Sequence, residues 1–164
     1  LPFDQLHLDL EVEQLGWPVP ASRVDDWLQT LEAASKASPW PVTLVSHHRW
    51  FAPAARNSSQ CVPCRLPDLG INNATIMLYS TAEPSVIQRS IAIAEAWPAL
   101  NITLAQSIEA SLPAENSWHG ASPGQLRALN IRMQTQLHNH RLAGIAWQDW
   151  QQYPKTLDTE TPAP

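Results

Sequence analysis

The chain has 164 residues, with hydrophobic side chains at 44%, charged ones at 15% and a net charge of −5. That is enough apolar material for a packed core and too apolar a composition for a disordered tract. The acidic balance leaves no broad footprint for nucleic acid, and no run approaches the roughly 20 apolar residues that cross a bilayer.

Leu6, Leu8, Leu10 and Val12 alternate with His7, Asp9, Glu11 and Glu13, which predicts a half-buried strand over 6–13. Gly16-Trp17-Pro18 breaks it. Ser22 then reads as an N-cap, and Val24, Trp27, Leu28 and Leu31 follow at helical spacing, predicting a helix over 22–36. Pro39 and Pro41 end it, and Val42–Ser46 is a second strand. Residues 52–73 hold Pro53, Pro63, Pro67, Gly70 and both cysteines without any period, so a long loop is expected.

The pattern then recurs. Ala74–Tyr79 predicts a strand, Pro84 opens a helix running to Trp97, and Asn101–Ala105 predicts a further strand. The order β-α-β, loop, β-α-β predicts an α+β fold: a ferredoxin-like βαβ-βαβ sandwich with an added C-terminal helix. Ser122-Pro123-Gly124-Gln125 carries the start signature of that helix, with Ser at the N-cap and Gln three residues on. Residues 142–153 fit either a helix or a short edge strand. Residues 1–153 are expected to form one domain, and the Pro/Thr-rich 154–164 a disordered tail.

Cys61-Val62-Pro63-Cys64 holds the only two cysteines. The spacing suits a disulfide that clips a surface loop, in keeping with an oxidising, extracytoplasmic compartment. It also suits a thiol–disulfide oxidoreductase with Cys61 as nucleophile and Cys64 as resolving thiol. A catalytic pair of that kind follows a strand and opens a long helix, and neither flank has that pattern. Joined by His47 and His48, the same cysteines offer a zinc set, although adjacent strand residues point to opposite faces. No cofactor is otherwise implied. No basic-then-apolar leader opens the chain, so either a signal peptide is expected to have been removed before Leu1 or the chain is an excised piece. Three short sequons, at Asn57, Asn73 and Asn101, fit chance occurrence.

His7-Leu8-Asp9-Leu10 and Asn101-Ile102-Thr103-Leu104 resemble the His-x-Thr/Ser elements of the two-histidine phosphoesterases. The first lacks the hydroxyl and the second the imidazole, so the proton carriers which the resemblance implies are not both present. Asp9, Glu11 and Glu13 alternate on one face, which fits a paired-carboxylate site or simply a solvated strand face. Trp50, Phe51, Trp147 and Trp150 lie in or beside loops, where exposed aromatic rings would anchor a partner.

With no complete catalytic constellation in view, the expected function is a non-catalytic binding or assembly module. Its expected setting is an extracytoplasmic bacterial envelope, secretion or pilus-type complex, with another protein as partner and oligomerisation possible. The oxidoreductase and zinc-module readings are the alternatives.

Overall fold

The computed structural model describes residues 3–149. Trp150 and the tail expected at 154–164 lie outside that range. The strands are β1 (Leu6–Asp9), β2 (Val42–His47), β3 (Asn73–Met77), β4 (Asn101–Ser107) and β5 (Leu142–Gln148). The α-helices are α1 (Ala21–Ala37), the single turn α2 (Val62–Arg65), α3 (Glu83–Ala96) and α4 (Pro123–Leu137). The strands form one sheet in the order β1-β2-β3-β4-β5, and every neighbouring pair is parallel.

Helix and strand are therefore mixed as the sequence predicts, but the ferredoxin-like arrangement is not found. That sandwich sets its two βαβ halves into one antiparallel sheet, whereas here each strand simply lies beside the one before it. The reason lies in residues 52–73. They form short helical turns and bury Cys61, Val62, Leu66 and Ile71 in the core. A segment packed in this way is a crossover, and it returns the chain to start a parallel neighbour rather than a hairpin. Gly70 shapes its end at φ 76°, where a side chain is strained and a Cβ would lie 3.1 Å from Ser35 Oγ.

Right-handed crossovers in one direction put the helices on one face of the sheet. On that face Val42, Leu44, Ala74, Ile76, Ile102 and Leu104 pack with Val24, Trp27, Leu28 and Leu31 of α1, and with residues of α3 and α4. The other face carries Asp9, Val45, Thr75, Thr103 and Gly144 in register. His47, Met77, Ala105 and Ala146 form its next row. None of these nine residues joins the core formed with the helices.

Local chemistry sets the boundaries. α1 starts at Ala21, one residue before the expectation, and its N-cap is Pro20 with no side-chain hydrogen bond, so Ser22 does not cap it. α4 has the expected capping box. Gln125 N–H donates to Ser122 Oγ at 3.3 Å, and Ser122 N–H donates to Gln125 Oε1 at 2.7 Å. β1 stops at Asp9 instead of running to Glu13, because Val12–Leu15 turns inward as a 3₁₀ helix and buries Glu13. Residues 142–148 resolve as an edge strand. No helix among the described residues is long and apolar enough to cross a membrane.

The helix-side core carries the stability. Leu31→Ala, at a position with 0% exposure, is expected to cost about 2–5 kcal/mol. Ile131→Ala, at 56% exposure, is expected to stay within about 0.5 kcal/mol of the parent. Urea unfolding curves of the two variants check this, and similar midpoints would contradict the packing described.

Candidate functional site

Parallel pairing sends the carboxyl end of every strand to one rim of the sheet, and the polar side chains collect there. β1 delivers Asp9, with Glu11 and Glu13 just beyond it. β2 ends in His47 followed by His48, and Tyr79 lies two residues past β3. Ser107 closes β4 with Glu109 next to it, and β5 ends in Gln148 followed by Asp149. Open parallel sheets and parallel barrels both bind ligands at this end, where the connecting loops are free to vary.

A cavity of about 300 Å³ opens at this rim. Its floor is Val45, Thr75, Ala105 and Ala146, one residue from each of β2 to β5. Tyr79, Gln148 and Asp149 wall it. Asp9 pairs with Val45 in the sheet register, one strand away from the rest of the floor, and does not itself line the cavity. Among the described residues, neither lysine nor arginine lines it.

A hydrogen-bonded chain joins the ends of β3, β4 and β5. The Tyr79 hydroxyl donates to Gln148 Oε1 at 2.6 Å, and Gln148 Nε2 donates to Glu109 Oε1 at 3.5 Å. Ser107 Oγ donates to Glu109 Oε2 at 3.3 Å. Behind this chain the fully buried Gln106 donates to the Leu78 carbonyl at 2.7 Å and accepts from Trp118 Nε1 at 3.1 Å. Burial pushes the Tyr79 phenol up, and the negative charges of Glu109, Asp9 and Glu11 push it further, so it stays neutral. The Asp9 carboxyl is likewise raised, first by burial and then by Glu11 and Glu13. The rim thus holds a carboxyl whose proton affinity is raised, beside other acidic side chains.

On the β1–β2 side the groups are structural. Glu13 is buried, and its two oxygens accept from the His47 N–H at 3.2 Å and from Trp50 Nε1 at 3.1 Å. The His47 and His48 rings lie 4.2 Å apart, and His48 Nδ1 lies 3.2 Å from the Met77 carbonyl. Burial takes the His48 imidazole down to about 4, with the charges of His47, Arg89 and Arg49 acting in the same direction. His47 is also lowered, by burial against the opposing pull of Glu13. Trp17 stays 40% exposed at this end. It stacks on Trp50 at 4.8 Å and lies under the Arg49 guanidinium at 5.6 Å.

The residues singled out in the sequence are scattered by the fold. Trp50 and Phe51 are core residues, at 7% and 0% exposure, and not a contact surface. The chain needs apolar filling where it leaves β2, and Trp97 Nε1 donates to the Phe51 carbonyl at 2.7 Å to close that corner. Trp147 is half-buried, with its indole nitrogen 3.4 Å from Asn130 Oδ1, and Trp150 lies outside the described residues. Cys61 and Cys64 form a disulfide at the start of the four-residue α2, with Cys61 packed in the core and Cys64 exposed. The pair is therefore rooted in the core at one end rather than lying wholly on a surface loop. Among the described residues no group of three or more His, Cys, Asp or Glu side chains is placed to hold a metal ion, so His47, His48, Cys61 and Cys64 are not brought together as one.

Tyr79, Glu109, Gln148 and Asp149 are the rim residues that sequence reasoning missed. Their shared signal is a polar residue at or just past the end of an apolar strand. It has meaning only once the strands are known to be parallel.

The two lowered histidines make stability depend on pH. An unfolded His48 takes its proton near pH 6.5, and the folded one only near pH 4. Between these values the unfolded state binds more protons, so this contribution is complete above about pH 6.5 and is lost as pH falls towards 4. Asp9, whose pKa is raised, acts in the opposite sense. The urea midpoint of His48→Gln is therefore expected to fall less between pH 6.5 and 4.5 than that of the parent. Parallel pH profiles would show that His48 is not desolvated.

No family model, curated protein or solved structure matches the chain.

Proposed function

We propose that the rim is an acid–base site that hydrolyses a bond in a neutral, hydroxyl-rich substrate, with a glycosidic bond as the chemistry that fits best. The observation that carries this reading is Asp9. Its side chain is exposed at the rim, its pKa is raised by partial desolvation and by Glu11 and Glu13, and it pairs in register with Val45 of a cavity floor at the carboxyl end of a parallel sheet. Two carboxyl groups with different proton affinities are what glycoside hydrolysis requires. Asp9 gives its proton to the leaving oxygen as the C–O bond breaks. Glu11, two residues on, takes the opposing role of base or nucleophile, and water supplies the elements added across the bond.

Substrate class follows from what the rim offers. Acidic side chains with no cation among the described lining residues disfavour phosphates and other anions. The Tyr79 proton is committed to Gln148, so the phenol oxygen is left as an acceptor for a substrate hydroxyl. The disulfide fits an oxidising, extracytoplasmic setting.

The binding or assembly reading drew on Trp50 and Phe51 as anchors, and their burial removes that support. The oxidoreductase reading loses weight because Cys61 opens only the four-residue turn Val62–Arg65, which holds Cys64 and gives way to a 3₁₀ turn at Pro67–Leu69.

Release of reducing ends from a panel of neutral oligosaccharides tests the proposal. Asp9→Asn and Glu11→Gln are each expected to lower turnover by about 10²–10⁴ with the fold intact by circular dichroism. Activity is expected to fall as pH rises through the elevated Asp9 pKa, because the acid must carry its proton. Turnover unaffected by both substitutions, or no hydrolysis across the panel, would sink the reading.

A further inference from the structure

We propose that the sheet is one arc of a closed parallel barrel, whose remaining strands are further β/α units of the same polypeptide docked beside β1 and β5, the two strands that end the sheet among the described residues. This inference does not depend on the acid–base reading.

An all-parallel sheet is normally covered on both faces. Here successive crossovers in one direction leave the face of Asp9, Val45, Thr75 and Ala105 outside the helix-packed core. A sheet wound in this way buries its second face by rolling up, so that its own side chains fill the interior. Several features fit that shape. Val45 of β2 and Ala146 of β5 line one cavity, although strands spaced by about 4.8 Å would hold them roughly 14 Å apart in a flat sheet. The face is made of small and modest side chains, with Thr75, Ala105, Ala146 and Gly144 among them. Thr75, Met77 and Ala105 are buried there without belonging to the helix-side core.

The edges identify the occupant. Along the helix-side row, Leu44, Ala74 and Ile102 are buried, while Leu8 and Leu142 at the two ends are only half-covered. Among the described residues, five of the six large exposed apolar side chains, Phe3, Leu10, Leu15, Trp17 and Trp40, lie on or next to the β1 unit. Phe3 and Trp40 already stack edge to face at 6.2 Å, beyond the amino end of β1. A neighbouring parallel strand would take the open backbone edge, and its helix would cover Leu6, Leu8 and these rings. A barrel of about eight strands leaves about three units to be supplied. The same closure would complete the ring of loops around the rim.

Hydrogen–deuterium exchange read by mass spectrometry tests this, comparing residues 1–164 alone with the same residues inside the product of the complete open reading frame. Amides of β1 and β5 are expected to exchange at least about tenfold more slowly in the longer product, with β2 to β4 unchanged. Three results would each overturn the proposal. They are equal edge exchange in both samples, a reading frame that encodes no further β/α units, and a discrete dimer of the 164-residue chain with both edges protected. The last result would make a second copy the occupant.

Discussion

Parallel pairing is the constraint on which the rest of this protein depends. A parallel strand cannot be reached by a tight turn, so every strand is followed by a crossover that brings the chain back to the starting end. The crossovers supply the helices, the helices supply the core, and the strand ends gather at one rim. Asp9, His47, Tyr79, Glu109 and Gln148 are scattered through the sequence, yet each stands at or just past the end of a strand. The site is therefore a consequence of strand direction before it is a consequence of any particular side chain.

The rim divides into a rigid half and an open half. On the β1–β2 side Glu13 is spent on the His47 amide and the Trp50 indole, which leaves it no capacity for chemistry. A buried carboxylate with both oxygens occupied is a structural pin, and it holds the turn after β1 against the turn after β2. On the β3–β5 side the Tyr79–Gln148–Glu109 chain fixes polar atoms around a cavity that is still open. Asp9 lies between the two halves. It is close enough to Glu11 and Glu13 to feel their charge, and it remains in register with the cavity floor.

Particular residues show how far the sequence could be read. Period-two alternation at Leu6–Asp9, helical spacing at Val24–Leu31 and the Ser122–Gln125 cap are local signals, and each corresponds to an element in the structure. The 52–73 segment misled because prolines and short turns erase periodicity, while burial of Val62, Leu66 and Ile71 is a tertiary fact. That one misreading turned a crossover into a loop and a parallel sheet into a ferredoxin-like sandwich. Trp50 and Phe51 misled in the same way, since an aromatic pair beside a presumed loop looks exposed until the crossover closes over it. The alternating carboxylates Asp9, Glu11 and Glu13 were visible in the sequence, but nothing local placed Tyr79 or Gln148 near Asp9.

The sequence by itself determined the identity and rough limits of most helices and strands, the acidic balance of the chain and the reach of the Cys61–Cys64 pair. These depend on contacts within a few residues, where backbone preference and side-chain period act directly. Only the tertiary structure decided strand order, strand direction and which polar groups share a rim. Those depend on pairings between residues tens of positions apart, such as Tyr79 with Gln148 and Glu13 with Trp50, and they are settled when the helix-side core packs.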